Sequence, residues 1–180
     1  DIHRDLVKAA RQQDRQAQFE LYKRYYRAMY NTALRITGDT AEAEDVMQEA
    51  FLNAFQKLES YREEVTFGAW LKKIVVNRAL DSIKNRKAFI DLEAVPEIES
   101  ENITPFQGNM DQLQVSEIKA AIYQLPEKYR LILSLYLMEG YDHEEISQIL
   151  NISNASSRTQ YHRARKRLQE ELTIKKEVKR

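Results

Sequence analysis

The chain has 180 residues, no cysteine, and 28 basic against 28 acidic side chains, so its formal net charge is zero. The absence of cysteine excludes a disulfide framework and a thiolate metal site, and it suits a reducing compartment. Hydrophobic residues make up 43 % of the chain, whereas there are only 4 Gly and 3 Pro, which favours a mainly helical protein of one or two small domains.

Membrane and enzyme classes find little support in the sequence. The longest apolar stretch, "LILSLYLM", is far too short for a membrane span, and the N-terminus has no apolar signal segment. "HEEIS" has the His-Glu pair of a zinc protease but carries Ser147 where the second histidine would stand. We therefore expect a cytoplasmic chain with no membrane insertion, no catalysis of its own, and neither a metal nor another cofactor.

The predicted N-terminal helices begin with a short one at 2–11, followed by a long amphipathic one from Phe19 that ends at Gly38. The predicted inward residues of the long helix are Phe19, Tyr22, Tyr26, Met29 and Ala33. Asp39 and Glu42 predict a capping box for the next helix. Its predicted inner stripe comprises Ala43, Met47, Ala50, Ala54 and Leu58.

The opposite stripe of that helix consists of acids, amides and one leucine, namely Asp45, Gln48, Glu49, Leu52 and Gln56. An exposed leucine in such company fits a protein-binding face, although a solvated surface is the commoner explanation for a stripe of this kind.

Thr66 is the predicted start of a further long helix, with Phe67, Leu71, Ile74 and Val75 toward the core. Another side of this helix combines a ring, an amide and positive charge in Trp70, Lys73, Asn77 and Lys84. Aromatic and cationic side chains together suit single-stranded DNA, whose exposed bases can stack on them. A plain core role for Trp70 remains the alternative.

Residues 88–114 hold six acidic and no basic side chains, two of the three prolines, and no sustained helical period. This composition predicts a flexible acidic linker, placed at 89–112, between domains at 1–88 and 113–180.

The C-terminal block is predicted to contain a helix-turn-helix. A helix ends near Leu125, Pro126 opens a second one at its first position, and Gly140 ends it. Asp142 and Glu145 predict a capping box for "HEEISQIL", and "NIS" forms a short turn plugged by Ile152.

Ser153 or Asn154 is expected to cap the last helix, whose predicted inward residues are Ser157, Tyr161, Ala164 and Leu168. Its outer face is basic and polar, with Thr159, His162, Arg163 and Lys166 outward and Arg158 at the flank. The major groove of DNA admits one helix, where Arg can grip guanine and Lys can bind phosphate. A helical hairpin with a solvated face is the alternative, and His143 is expected at the surface.

Three stretches together resemble the extracytoplasmic-function RNA polymerase sigma factors. They are "AEDVMQEAFLNAFQKL", "YREEVTFGAWLKKIVVNRALD" and "LPEKYRLILSLYLMEGYDHEEISQILNISNASSRTQYHRARKRL". The resemblance covers about 15–88 and 112–170. It implies an all-α protein of two small domains, region 2 and region 4, on a flexible linker.

The resemblance also implies partners and roles. Region 2 would dock on the clamp helices of core polymerase through Asp45, Gln48, Glu49 and Leu52, and region 4 would lie near the polymerase flap. Asn77 would contact a base of the −10 element, near a flipped base beside the Tyr61 loop. Arg158, Thr159, His162 and Arg163 would read the −35 element, and an anti-sigma factor is an expected partner.

The chain departs from the family pattern at the start of the last helix. The family usually has Gly-Thr-Val followed by Lys-Ser-Arg, where this chain has Ala155, Ser156, Ser157, Arg158, Thr159 and Gln160. Ser157 in place of an inward valine is expected to weaken packing, and Gln160 to remove a phosphate-facing charge.

Two other functions compete with this interpretation. A stand-alone helix-turn-helix regulator would bind its operator as a dimer without polymerase. A helical scaffold or adaptor would bind proteins only, with no contact to DNA.

Overall fold

A computed structural model of the chain describes residues 3–86 and 115–178. The chain divides into two compact units, Asp1–Phe89 and Ile90–Arg180. The described residues form helices and turns without a β-strand, so the predicted all-α, two-domain fold is confirmed. The predicted linker at 89–112 lies outside the described residues.

The N-terminal unit consists of α1 (Arg4–Arg11), α2 (Arg15–Thr37), α3 (Thr40–Gln56), a 3₁₀ turn (Leu58–Ser60) and α4 (Phe67–Asn85). Helices α2, α3 and α4 pack on one another, and α1 packs on α2. The predicted inner stripe of α3 is buried throughout, from Ala43 to Leu58. On α4, Phe67, Leu71 and Val75 are buried, whereas Ile74 is only half-buried.

The predicted inward face of α2 is partly wrong. Phe19 and Tyr26 are 58 % and 44 % exposed, and Leu21 and Ile36 are buried instead. Tyr26 stacks on Tyr22 with ring centroids 5.7 Å apart, so these rings form a partly exposed aromatic surface next to the true core stripe.

Local signals fix the ends of these helices. Gly38 adopts a left-handed conformation with φ 73°, which a glycine accepts without a Cβ clash, and its N–H donates to Leu34 O. Asp39 caps α3 by accepting from Glu42 N at 2.8 Å. The predicted capping box is incomplete, because the Glu42 carboxylate turns to α4, where it accepts from Ser82 Oγ and pairs with Arg86. Thr66 caps α4 as predicted.

The C-terminal unit consists of α5 (Val115–Gln124), α6 (Glu127–Leu133), a π-helical turn (Ser134–Met138), α7 (His143–Leu150) and α8 (Asn154–Val178). Helix α8 packs against α5, α6 and α7. Pro126 is the residue before α6, with ψ 145°, rather than its first helical residue. The π-helical turn was not predicted, and Gly140 follows it with φ 80°.

The turn between α7 and α8 is ordered at both ends. Asp142 and Glu145 form the predicted capping box at the start of α7. Asn151 ends α7 in the left-handed conformation, and Ser153 Oγ caps α8 by accepting from Ser156 N at 3.0 Å. The predicted plug Ile152 is half-buried rather than buried.

Among the described residues, no helix has the length and apolar character needed to cross a membrane. Within the same ranges, no group of three or more His, Asp or Glu side chains is placed to hold a metal ion.

Candidate functional site

The outer face of α3 carries the predicted protein-binding stripe. Asp45, Gln48 and Glu49 are exposed, and Leu52 is 64 % exposed among them. Because α3 buries its opposite side between α2 and α4, the helix presents this stripe on a rigid support. The stripe combines negative charge, an amide and one apolar side chain, which suits a partner surface with cations around a small apolar patch.

One edge of this stripe is tied to α4 by ion pairs that the sequence analysis missed. Glu49 pairs with Arg78, and Glu42 pairs with Arg86 at 3.2 Å. Arg86 Nη2 also donates to the Thr37 carbonyl at 2.8 Å. These contacts join α4 to the edge of the acidic stripe. The arginines are 29 or more residues from their partners, so no helical spacing pointed to the pairs.

The predicted nucleic-acid face of α4 is present as a row of accessible side chains. Lys73, Asn77 and Lys84 are exposed, and Trp70 is half-buried. Arg78 follows Asn77 directly, and because it pairs with Glu49, the α4 face and the α3 stripe adjoin. The row offers an amide that can both donate and accept, with two ammonium groups within the reach of a phosphate backbone.

Trp70 belongs to a ring cluster with Tyr61 and Phe67. Its ring centroid lies 5.1 Å from that of Tyr61 and 5.9 Å from that of Phe67. Both interpretations of Trp70 therefore fit part of the observation, because one side of the ring packs on the core and the residue keeps partial solvent exposure.

Tyr61 was expected near a flipped base, but its own side chain is only 4 % exposed. Its hydroxyl donates to the Val65 carbonyl at 2.6 Å. Burial, with a smaller contribution from the charge of Glu63, raises the pKa of the Tyr61 phenol above 10.0. The ring therefore orders the loop at 61–66 from inside, and the loop's exposed side chains, Arg62, Glu64, Val65 and Thr66, form its surface.

The outer face of α8 is basic as predicted. Arg158, His162 and Lys166 are exposed, and Thr159 and Arg163 are half-buried. Arg158 Nε donates to Asn154 Oδ1 at 2.8 Å, which holds the guanidinium beside the first turn of the helix. Arg167 belongs to the same basic run, yet it pairs with Glu170 at 3.2 Å and Glu171 at 2.9 Å on its own helix.

Two expectations about the helix-turn-helix need correction. Gln160 is 3 % exposed, so this position faces the interior and is not a place for a phosphate-facing charge. His143 is half-buried rather than a surface residue, and its Nδ1 lies 3.0 Å from Ser157 Oγ. Ser157 is fully buried, and this polar pair stands where an inward valine would pack.

The His143 ring packs in a cluster with two tyrosine rings. Its centroid lies 4.7 Å from the Tyr136 ring, nearly parallel to it, and 5.4 Å from the Tyr161 ring. Burial, and then the charge of Arg158, lower the pKa of His143 below 6.5, while Asp142 acts in the opposite direction. The neutral imidazole is therefore favoured at the junction of the turn and α8.

Comparison with known proteins gives matches for both units. Residues 21–89 match the family Sigma-70 region 2, and residues 116–168 match the family Sigma-70, region 4. The ECF RNA polymerase sigma factor SigM of Bacillus subtilis is 30 % identical over 83 % of this chain and 91 % of its own length. SigW of the same species is 28 % identical over 92 % of this chain and 94 % of its own length.

The ECF sigma factor SigE of Mycolicibacterium smegmatis is 32 % identical over 85 % of this chain, which spans 60 % of that relative's length. Two solved structures share the fold, each with a TM-score of 0.54. The sigma factor RpoE, in complex with the anti-sigma factor NepR from Bartonella quintana, is 24 % identical, and the match covers 86 % of this chain and 96 % of that one. CnrH, in complex with the cytosolic domain of CnrY, is 19 % identical, and the match covers 97 % of this chain and 99 % of that one.

Proposed function

Because the chain belongs to the ECF RNA polymerase sigma factors, we propose that it binds core RNA polymerase and directs it to promoters by reading a −10 and a −35 element. The observation that carries the proposal is that both matched regions present, on separate helices, accessible side chains of the chemistry that each contact needs. The chain itself supplies binding and positioning, and the chemistry of RNA synthesis belongs to the polymerase.

The α3 stripe is the proposed polymerase-binding surface. Asp45 and Glu49 would face cations on the clamp helices, Gln48 would add hydrogen bonds, and Leu52 would enter an apolar contact. The high exposure of Leu52 supports this role, because burying it against a partner removes apolar surface from water.

The α4 face and the 61–66 loop are the proposed −10 surface. Asn77 would contact a base edge, Lys73 and Lys84 would bind phosphates, and the accessible side of Trp70 would stack against an unpaired base. The buried ring of Tyr61 gives it a supporting role in this proposal, with the loop surface around it facing the DNA.

Helix α8 is the proposed −35 reader. Arg158, Thr159, His162 and Arg163 would lie in the major groove, and Lys166 would reach the sugar-phosphate backbone. The ordered turn before α8 supports this role, because a recognition helix must enter the groove at a fixed angle to the helix before it.

Two further partners and the location follow from the proposal. The flap of the polymerase would receive the C-terminal unit, and an anti-sigma factor would compete with polymerase for one or both units. A chain that works with polymerase on chromosomal DNA would reside in the cytoplasm.

The experiment is run-off transcription with purified core polymerase, with and without the chain, on a genomic promoter library. Specific transcripts are expected only when core and chain are both present, and the chain alone should not shift the selected promoter fragments. Specific binding to an operator without polymerase would instead support a stand-alone regulator. Polymerase-independent binding to a protein, with no DNA crosslink, would support a scaffold.

A further inference from the structure

The loop at 61–66 is held from outside by two arginines of α1. Arg4 Nε donates to Glu63 Oε2 at 2.9 Å, and Arg11 Nη2 lies 3.8 Å from Glu63 Oε1. The same Arg11 nitrogen donates to the backbone carbonyl of Tyr61 at 2.9 Å. Two guanidinium groups from one helix therefore converge on one carboxylate and one carbonyl of this loop.

The loop conformation is one that needs support. Glu63 has φ 60°, in the left-handed region that side chains other than glycine and asparagine rarely adopt. Such a residue persists when its surroundings hold it in place. Inside the loop, Tyr61 donates to the Val65 carbonyl, and outside it Arg4 and Arg11 hold the Glu63 side chain.

Helix α1 is anchored to the rest of the N-terminal unit. Val7 and Ala10 are buried against the rest of the unit, and Gln18 Nε2 of α2 donates to the Ala10 carbonyl at 3.3 Å. The Arg4 side chain is 62 % exposed, so its ion pair is strongly screened by water. The half-buried Arg11, which contacts both the carboxylate and the backbone, is therefore the principal link.

We infer that α1 is a positioning element for promoter recognition. Arg11, assisted by Arg4, sets the shape of the 61–66 loop through Glu63 and the Tyr61 carbonyl, and so sets the base preference at the −10 positions that this loop faces. The inference rests on the proposed function, in which the loop lies against the −10 element.

Direct phosphate binding by the α1 arginines is the competing explanation, and charge-matched variants separate the two. Lys8 is an exposed cation of the same helix whose ammonium makes no ion pair within residues 3–86, so Lys8→Ala removes a charge without touching the loop. Arg11→Lys keeps the charge, but an ammonium lacks the planar fork that reaches a carbonyl and a carboxylate together.

The test uses holoenzymes of core polymerase with the full chain, comparing wild type, Arg11→Ala, Arg11→Lys, Glu63→Gln, Lys8→Ala and the Arg11→Ala/Glu63→Gln double variant. Abortive initiation is measured on promoters that carry each base at each −10 position. Arg11→Ala and Glu63→Gln should each reduce the ratio between best and worst base about three- to tenfold at one or two positions. The double variant should lose less than the two single losses combined, because both changes break the Arg11–Glu63 contact.

Arg11→Lys should fall between wild type and Arg11→Ala, and Lys8→Ala should keep the wild-type ratio. Core affinity and −35 preference should stay unchanged in every variant. If Arg11→Ala fails to fold, the test rests on Glu63→Gln. This substitution replaces one oxygen of a partly exposed carboxylate by an amide nitrogen. The inference would be overturned if both Arg11→Ala and Glu63→Gln kept the wild-type −10 ratios. It would also be overturned if Arg11→Ala and Lys8→Ala lowered activity equally for every base at every −10 position. Either result would leave the proposed function standing. A wild-type holoenzyme without any −10 preference would overturn the proposed function as well.

Discussion

At the scale of single residues, His143 links the turn to the recognition helix. It contacts Ser157 by a hydrogen bond, and its ring packs against Tyr136 and Tyr161, which also contact each other. Burial first and Arg158 second lower its pKa in the folded chain, whereas Asp142 opposes the shift. Protonation of the His143 imidazole therefore destabilises the folded helix-turn-helix.

The sign of the resulting pH dependence follows from linkage. The pKa of His143 in the folded chain lies below the ordinary value of 6.5. Around and below that pH, the unfolded chain therefore binds more protons than the folded chain does. The stabilising contribution is fully present above pH 6.5 and is lost as the pH falls toward the folded pKa. Thermal unfolding of the chain between about pH 7.5 and 5.5 should show a decrease in Tm that His143→Gln reduces.

The exposed His162 of the same unit provides the matched control, since His162→Gln should keep the wild-type decrease. An equal decrease in wild type and His143→Gln would contradict the role assigned to His143.

Some residue positions could not be predicted from spacing alone. Gln160 is buried because α8 packs against three helices, α5, α6 and α7, which widens its buried arc beyond the stripe of Ser157, Tyr161, Ala164 and Leu168. Phe19 and Tyr26 have aromatic rings at helical spacing, yet the buried side of α2 passes through Ala17 and Leu21, two positions on either side of Phe19. A 3.6-residue period in the sequence predicts which face of a helix is buried, but it does not predict how wide the buried face is.

At the scale of elements, α3 supports its binding stripe without depending on it for stability. Reversing the charges in Asp45→Arg with Glu49→Arg should weaken core binding about a hundredfold, because like charges across an interface repel. Helicity should be unchanged, since both residues are exposed and the Glu49–Arg78 pair at the surface contributes about 1 kcal/mol or less. Circular dichroism and core affinity measure the two effects.

Asp5→Arg with Glu59→Arg makes the same change in charge at exposed sites outside α3 and should leave core binding intact. Normal co-purification of the Asp45 and Glu49 double variant with core polymerase would contradict the assignment of α3.

Helix α8 is proposed to make two kinds of contact with DNA along its length. Arg163→Ala should reduce −35-dependent transcription and blur selectivity at one or two positions, as loss of a base-edge contact worth about 1–3 kcal/mol would do. Lys166→Ala should weaken binding about equally on all promoters and reduce the salt slope by roughly one. Holoenzyme affinity for a set of −35 variants at several salt concentrations measures both effects, and two variants that behave like wild type would exclude α8 as the −35 reader.

Several helix starts were predicted correctly because their capping signals are local, although α2 begins at Arg15 rather than at Phe19. Asp39, Thr66 and Asp142 cap the helices as expected, and the Asp142–Glu145 box is complete. Contacts between elements were beyond the sequence, since Glu42 leaves its own helix for Ser82 and Arg86, and Arg11 reaches Glu63 across 52 positions of chain. Such pairings depend on tertiary packing rather than on spacing.

At the scale of the whole molecule, two units with different proposed partners would explain a neutral chain that holds a basic helix. The proposed −35 surface holds cations, the proposed polymerase surface holds acids, and basic and acidic side chains are present in equal numbers across the chain. A separate DNA-binding protein depends on its own charge for affinity. A subunit held by polymerase needs only the local charge that positions it on the promoter.

We propose that one chain reads two promoter elements with two separate units while bound to polymerase. The most direct measurement is sequencing of transcripts made from a promoter library randomised at both elements, with holoenzymes carrying wild type, Asn77→Ala or Arg163→Ala. We predict that Asn77→Ala relaxes base preference only within the −10 element and that Arg163→Ala relaxes it only within the −35 element. Unchanged base preferences in both variants would contradict this proposal. So would a change at the −35 element in Asn77→Ala or at the −10 element in Arg163→Ala.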